Sequence, residues 1–183
     1  MTDPAARYRH LAARFTELVA AVPDHAWGQQ SPCEDWTARD VLHHVVTTEA
    51  DVLGRMPFAP APLGDPTDLE AAWQTVRDQM QAALDTPEQA GHSYDGYFGP
   101  TTFEETIDRF YSFDLVVHAW DLARAAGLRA YEVIDPAEIE KCRADFADLE
   151  ATMRQPGILG EEIEVAADAD DQTAFLAFAG RAA

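Results

Sequence analysis

Helix-length segments with apolar residues at helical spacing follow one another along this sequence, and prolines and glycines separate them. The predicted helices cover residues 4–22, 37–54, 67–87, 102–126 and 135–153, with a short last helix at 171–180. No series of strand-like alternating patterns lies between them, and residues 24–36 and 88–100 are predicted loops. The sequence therefore predicts an all-α fold, a helical bundle with four long helices at its centre and additional short C-terminal helices.

Polar residues and a glycine mark the ends of these helices. The predicted N-caps and the acids that complete their capping boxes are Thr37 with Asp40, Thr67 with Glu70, and Thr102 with Glu105. Asp135 and Pro136 form the expected start of the fifth helix. Gly127 is the expected left-handed residue that follows the fourth helix.

Length and charge restrict the organisation and the partners of the chain. It is predicted to be a single domain spanning 1–183, with a core at about 4–153 and a C-terminal appendage at about 154–183. The net charge of −20 repels phosphates and anionic lipids, which argues against nucleic acid and membranes as partners. No apolar run approaches the roughly 18 residues of a membrane span, and residues 1–10 lack a signal-peptide pattern.

The cysteine content favours a reducing compartment. Cys33 and Cys142 form neither a CxxC pair nor a disulfide framework, and we expect a cytoplasmic protein. Cys33 precedes the second predicted helix, where it is either an inert buried thiol or a neighbour of the site described next. The sequence leaves monomer and homodimer open.

The fourth predicted helix carries a narrow polar stripe on an otherwise apolar segment. Asp114, His118 and Asp121 lie at positions i, i+4 and i+7, which places them on one helix face. A third ligand from another helix would complete a metal site with open positions, and His44 is the best donor. The spacing alone equally allows a solvated Asp114–His118 ion pair, and periodicity places His44 on a polar helix side.

Two separated motifs and the C-terminal ending resemble a known family. Residues 31–44, SPCEDWTARDVLHH, and residues 117–127, VHAWDLARAAG, are similar to the signatures of one branch of the DinB-like superfamily. That branch is the mycothiol-dependent maleylpyruvate isomerase N-terminal domain, which includes small actinobacterial metal-binding proteins. The ending from GILG at 157–160 to FAGR at 178–181 resembles the ending of its members.

The resemblance implies a fold and a metal site. The fold is a DinB-like, up-and-down four-helix bundle that binds a divalent metal at one end. The implied ligands are His44, Asp114 and His118, with zinc as the default metal and nickel, iron or manganese as alternatives. Asp114 stands where the family often has the longer Glu. Two histidines and one carboxylate also match the facial triad of non-haem iron oxygenases, which is normally built on a β-barrel.

Other candidates surround this implied metal. Asp121 is expected either to hold an imidazole N–H or to be a helix-surface acid. Arg124 is a candidate for a substrate carboxylate, with a salt bridge elsewhere as the alternative. Trp36 either walls the pocket or packs in the core.

The resemblance implies mycothiol as cosubstrate and S-transfer to a small electrophile through a metal-bound thiolate. The isomerase of that branch has a further C-terminal domain, so maleylpyruvate is not the expected substrate. The alternative function is a non-enzymatic metal-binding bundle that serves stress response or partner binding. A panel of electrophiles, offered with and without mycothiol, separates the two functions.

Overall fold

The computed structural model describes residues 3–58, 60–65, 67–147, 149, 159 and 161–182. Its longest helices are α1 (Pro4–Ala21), α2 (Ala38–Arg55), α3 (Leu69–Leu84) and α6 (Ser112–Ala126). The shorter elements are α4 (Pro87–Ala90), β1 (Ser93–Gly96), β2 (Gly99–Thr102), α5 (Phe103–Thr106), α7 (Pro136–Phe146), α8 (Asp171–Phe178) and two 3₁₀ turns, Asp24–Ala26 and Arg129–Tyr131. The predicted all-α bundle with additional short C-terminal helices is confirmed.

The long helices surround one apolar core. Both α1 and α2 pack against α3 and α6, so α1 and α2 lie diagonally across the bundle. The rings of Phe15 and Trp73 meet edge to face with their centroids 4.9 Å apart, and the Trp73 indole N–H donates to Thr16 at 3.0 Å. Within the described residues, no helix has both the length and the apolar character needed to cross a bilayer.

The capping signals are confirmed at two helices and wrong at one. Capping boxes form at Thr37 with Asp40 and at Thr102 with Glu105. At the third helix Asp68, rather than Thr67, is the N-cap and accepts the N–H of Ala71 at 3.0 Å. Both the N–H and the hydroxyl of Thr67 bind Asp65, which leaves the cap to the neighbouring carboxylate.

The predicted fourth helix is interrupted by a wider turn. Its α-helical parts, α5 and α6, are joined by a π-helical segment over Ile107–Tyr111. The helix ends as predicted at Gly127, whose φ of 70° is left-handed. Since π segments displace the residues of a helix face, this turn alters which side chains precede Asp114 in the cleft.

The predicted loop 88–100 is wrong in part, because it contains α4 and a β-hairpin. Strands β1 and β2 pair antiparallel, with Ser93 opposite Thr102 and Gly96 opposite Gly99. Gly99 has a φ of 107°, which a side chain rarely tolerates. The strands are only four residues long, too short for the alternation by which strands are identified in a sequence.

The C-terminal part returns to the bundle. Helix α7 begins at its predicted cap Asp135, and Met153, the predicted end of that helix, lies outside the described residues. Helix α8 ends at Phe178, two residues before the predicted end, and Phe175 and Leu176 are fully buried. This packing carries the chain after α8 back to α6.

Alanine substitutions at two glycines are expected to change the stability of the fold in opposite directions. Gly127→Ala is expected to destabilise the fold by about 1–2 kcal/mol, because an L-residue is strained at positive φ. Gly54→Ala, within α2 and with no atom near the added Cβ, is expected to stabilise the fold by about 0.5–1 kcal/mol. Urea unfolding of both variants and the parent measures this. Equal effects at the two sites would contradict the left-handed end of α6.

Candidate metal centre

Helices α2 and α6 present one histidine and a carboxylate–histidine pair to each other. The distance from His44 Nε2 to Asp114 Oδ2 is 3.6 Å, and the imidazole rings of His44 and His118 lie 4.8 Å apart. One ligand atom from each of these three residues lies within 4.8 Å of the other two. His44 therefore lies on the polar side of α2 and still faces α6, which is why periodicity alone did not separate a site from a solvated surface.

These distances suit one small cation. Two atoms that bind the same metal at about 2.1 Å can be at most about 4.2 Å apart. The separation of His44 from Asp114 meets this limit, and the other separations are at most 4.8 Å, close to it. Two imidazoles and one carboxylate are a donor set that zinc accepts while keeping a position open.

His118 is held by a second carboxylate. Its Nδ1 lies 2.9 Å from Asp121 Oδ2, and both side chains are buried. Because the ionised carboxylate has no proton to donate, Nδ1–H is the donor and Nε2 is the nitrogen left for a metal. This carboxylate–imidazole arrangement is the one that orients histidine ligands in metal sites.

Asp121 is itself held by a largely buried arginine near the C-terminal end. Arg181 Nη2 lies 2.8 Å from Asp121 Oδ2, and Arg181 Nε donates to Oδ1 at 3.2 Å. Burial alone would raise the pKa of Asp121, but the hydrogen bond from His118 and the charge of Arg181 lower it to about 2. Asp121 is therefore ionised at any physiological pH.

Asp114 is also kept in its charged form. Burial disfavours that form, but the close approach of His44 and the charge of His118 outweigh this effect and place the pKa of Asp114 below its ordinary value. A carboxylate that is ionised and close to two imidazole nitrogens is ready to bind a cation without first losing a proton.

Cys33 lies beside the same carboxylate. Its thiol donates to Asp121 at 3.2 Å, and Arg181 Nη2 approaches the sulfur at 3.0 Å. Burial first, and then the charge of Asp121, raise the pKa of Cys33 to about 12. The thiol is thus protonated and a poor nucleophile near neutral pH.

Of the two remaining candidate residues, Trp36 packs against the histidines of the candidate metal centre and Arg124 lies away from it. Trp36 packs its ring against His44 at 4.8 Å and against His118 at 5.9 Å. Arg124 pairs with Glu132 at 2.8 Å and lies over the Trp120 ring. It does not line the cleft described below, and its salt bridge is the alternative predicted for this residue from the sequence. Six positions beyond His118 on a helix correspond to about 600°, which turns Arg124 some 120° away from the site.

The three candidate ligands His44, Asp114 and His118 line a cleft of about 1910 Å³. Its walls come from α2, the hairpin β1–β2, the π segment, α6, α7 and the C-terminal end. Ligand pockets in proteins are typically about 300–1,000 Å³. The cleft is therefore large enough to hold two small molecules side by side.

A model of one protein family matches residues 8–123, which include all three candidate ligands. Its description is the mycothiol maleylpyruvate isomerase N-terminal domain. The chain belongs to this family. Two uncharacterized Mycobacterium tuberculosis proteins, from strains CDC 1551 / Oshkosh and ATCC 25618 / H37Rv, are each 28% identical to it over 156 residues, covering 85% of this chain and 84% of the relative. No solved structure matches the chain significantly.

Two residues at the site of this family member were not identified as candidates from the sequence. Arg181 lies 60 residues from Asp121 and outside the family match, so no local spacing connects the two. Glu49 is an ionisable residue of α2, yet it is only 1% exposed. It accepts the hydroxyl of Tyr8 at 2.7 Å, and its Oε1 has no hydrogen-bond partner among the described residues.

Glu49 is expected to make the protein less stable as the pH rises. Burial first, and then the charge of Asp114, raise its pKa from 4.5 to about 8, although the Tyr8 hydrogen bond opposes this. Between these values the folded protein keeps a proton that the unfolded chain releases. The free energy of unfolding therefore falls with pH in that window, by at most about 1.4 kcal/mol per pH unit.

Glu49→Gln removes the titrating group and is expected to flatten this pH dependence. Urea unfolding between pH 5 and 9 compares the variant with the parent protein. Glu17→Gln, at an exposed position of α1, is the control and should keep the parent's slope. A Glu49→Gln protein with the parent's slope would show that Glu49 is not the responsible carboxyl.

Proposed function

We propose that the protein binds one divalent metal ion through His44, Asp114 and His118 and joins mycothiol, through its sulfur, to a small electrophile. The observation that carries the proposal is the convergence of these three ligand atoms, within 4.8 Å of each other, at a large cleft. Membership of the mycothiol maleylpyruvate isomerase N-terminal domain family supports a thiol as the partner. Zinc suits the donor set, and nickel, iron or manganese are alternatives.

The residues of the chain prepare this site for a cation. Asp121 fixes the ring of His118 with Nε2 free, and Asp114 supplies a negative charge at the same point. Trp36 covers one side of both imidazoles and keeps water from that face. A divalent metal held there supplies the ability to lower the pKa of a thiol, so that thiolate is available near neutral pH.

The reaction class follows from the chemistry of the thiol. The thiolate sulfur donates an electron pair to an electrophilic carbon, a carbon–sulfur bond forms, and the leaving group departs with its own electron pair. The thiol proton passes to solvent. The protonated Cys33 does not compete as the nucleophile, because its pKa is raised to about 12.

The experiment measures S-conjugate formation by mass spectrometry, with a panel of electrophiles, mycothiol and metal. Product is expected only when metal and mycothiol are both present, at a rate above that of mycothiol alone. His43→Ala is the matched control, since His43 is the exposed neighbour of His44 and is not among the three candidate ligands. It should keep the parent's activity, whereas His44→Ala should lose it. Equal product with and without the protein, across the panel, would overturn the enzymatic proposal in favour of a non-enzymatic bundle.

A further inference from the structure

Four phenylalanine rings form a continuous row along one wall of the cleft. The rings of Phe98 and Phe110 are stacked, with centroids 5.0 Å apart and 16° between their planes. Phe110 contacts Phe146 at 5.9 Å, and Phe146 meets Phe113 edge-on at 4.7 Å. All four residues line the cleft, so the row is part of its surface and not only of the core.

The two ends of the row differ in burial. Phe113 and Phe146 are 4% and 1% exposed and anchor the row in the core. Phe98 and Phe110 are half-buried and leave part of their rings to the cleft. Tyr97, at the tip of the hairpin, packs edge-on against Phe98 at 4.9 Å and is 73% exposed. Rings that are anchored by buried neighbours and partly exposed to a cleft are suited to binding another flat ring.

This aromatic wall, Phe98 with Phe110, lies next to the metal centre. Phe110 belongs to the π segment and precedes Asp114 by four residues, which corresponds to about 6 Å along a helix axis. Both residues line the same cleft as His44 and His118. A molecule of two or three rings' length that rests on the wall therefore reaches the candidate ligands.

Other residues that line the cleft are chemically different from the aromatic wall. Glu34, Thr48, Asp95 and Thr101 line it with polar groups. A polar thiol fits that region, because its hydroxyl and amide groups find hydrogen-bond partners there. The rings of Phe98 and Phe110 have no hydrogen-bonding groups and suit an apolar ring, although the Arg109 guanidinium lies over the Phe110 ring at 5.7 Å.

We propose that the electrophile is an aryl compound and that its ring stacks on Phe98 and Phe110. That the bound compound is an electrophile rests on the proposed function, whereas the ring-binding subsite rests only on the aromatic wall. Stacked aromatic pairs are favoured over the contact of a ring with a saturated group of similar size, by about 2- to 12-fold in affinity. The subsite therefore selects aryl over saturated groups.

Binding tests the subsite without any turnover. We would titrate the full protein, as purified and without mycothiol, with 2-naphthalenemethanol and with its saturated decahydro analogue, by isothermal calorimetry. The aryl compound is expected to bind about five-fold more tightly. Equal affinities, or no binding of either compound at millimolar concentration, would overturn the proposal.

Variants assign the preference to the wall. Phe98→Leu and Phe110→Leu keep apolar volume but remove the rings, and each should reduce the aryl preference to less than two-fold. Phe58→Leu is the control, because the Phe58 ring packs against Phe103 at 5.3 Å and does not line the cleft. Circular dichroism confirms that each variant is folded. Retention of the full preference in folded Phe98→Leu and Phe110→Leu proteins contradicts the assignment.

Turnover distinguishes failure of the subsite from failure of the proposed function. With benzyl and cyclohexylmethyl bromides, the ratio of kcat/KM values should fall about five-fold in Phe110→Leu relative to the parent. Aryl binding without any S-transfer supports the subsite and refutes the transferase. S-transfer with an unchanged ratio in Phe110→Leu refutes the subsite and leaves the transferase intact.

Discussion

Replacing His118 with alanine is expected to remove the tightly bound metal, from about one divalent ion per chain to less than about 0.1 after dialysis. The variant loses one of the three proposed ligands and leaves only His44 and Asp114, which are half-buried and lie 3.6 Å apart. Elemental analysis by plasma mass spectrometry measures the metal content. Transferase activity should disappear with the metal.

The fold of this variant should survive. Asp121 keeps its ion pair with Arg181 at 2.8 Å, so the truncation leaves no buried charge without a partner. Circular dichroism and thermal unfolding check this point. His43→Ala should retain about one metal per chain, which excludes a general effect of removing a histidine from the protein. Full metal in His118→Ala would rule out the site as proposed.

The order of the helices and the placing of Asp114 and His118 on one helix face could be inferred from the sequence because both depend on local spacing, whereas the choice of His44 as their partner came from the family resemblance. Asp114 and His118 are one turn apart on an apolar helix, and the structure does place them on the same face, beside His44. Capping boxes at Thr37 and Thr102 likewise involve residues three positions apart, and both are present. Signals of this kind need no knowledge of how the helices pack.

Features that depend on contacts between distant segments could not be inferred. Asp121 is fully buried because Arg181 and Cys33 surround it, and neither residue is its sequence neighbour. The strands of the hairpin are short and their side chains do not alternate clearly between buried and exposed positions, so the sequence of this segment predicts a loop. The aromatic wall is formed by residues of both that hairpin and the π segment, and no local sequence pattern predicts either element.

Asp121→Ala is expected to combine a loss of stability with a loss of metal affinity. Asp121 is fully buried, and the Arg181 side chain is only 12% exposed. Removing the carboxylate leaves that guanidinium without its ion-pair partner, which typically costs about 3–5 kcal/mol of unfolding free energy. It also removes the acceptor that orients His118, and the loss of such a partner typically weakens metal binding about 10- to 100-fold.

The double variant Asp121→Ala with Arg181→Met separates these two effects. It removes the unpaired charge, so urea unfolding of the metal-free proteins should recover most of the lost free energy relative to Asp121→Ala alone. Competition with a chelator should still show weakened metal binding, because His118 has no acceptor for Nδ1–H in either protein. Metal affinity that returns together with stability would mean that Asp121 acts on the metal centre only by holding the fold. Affinity that stays low in a protein of restored stability would assign to Asp121 the orientation of His118 itself.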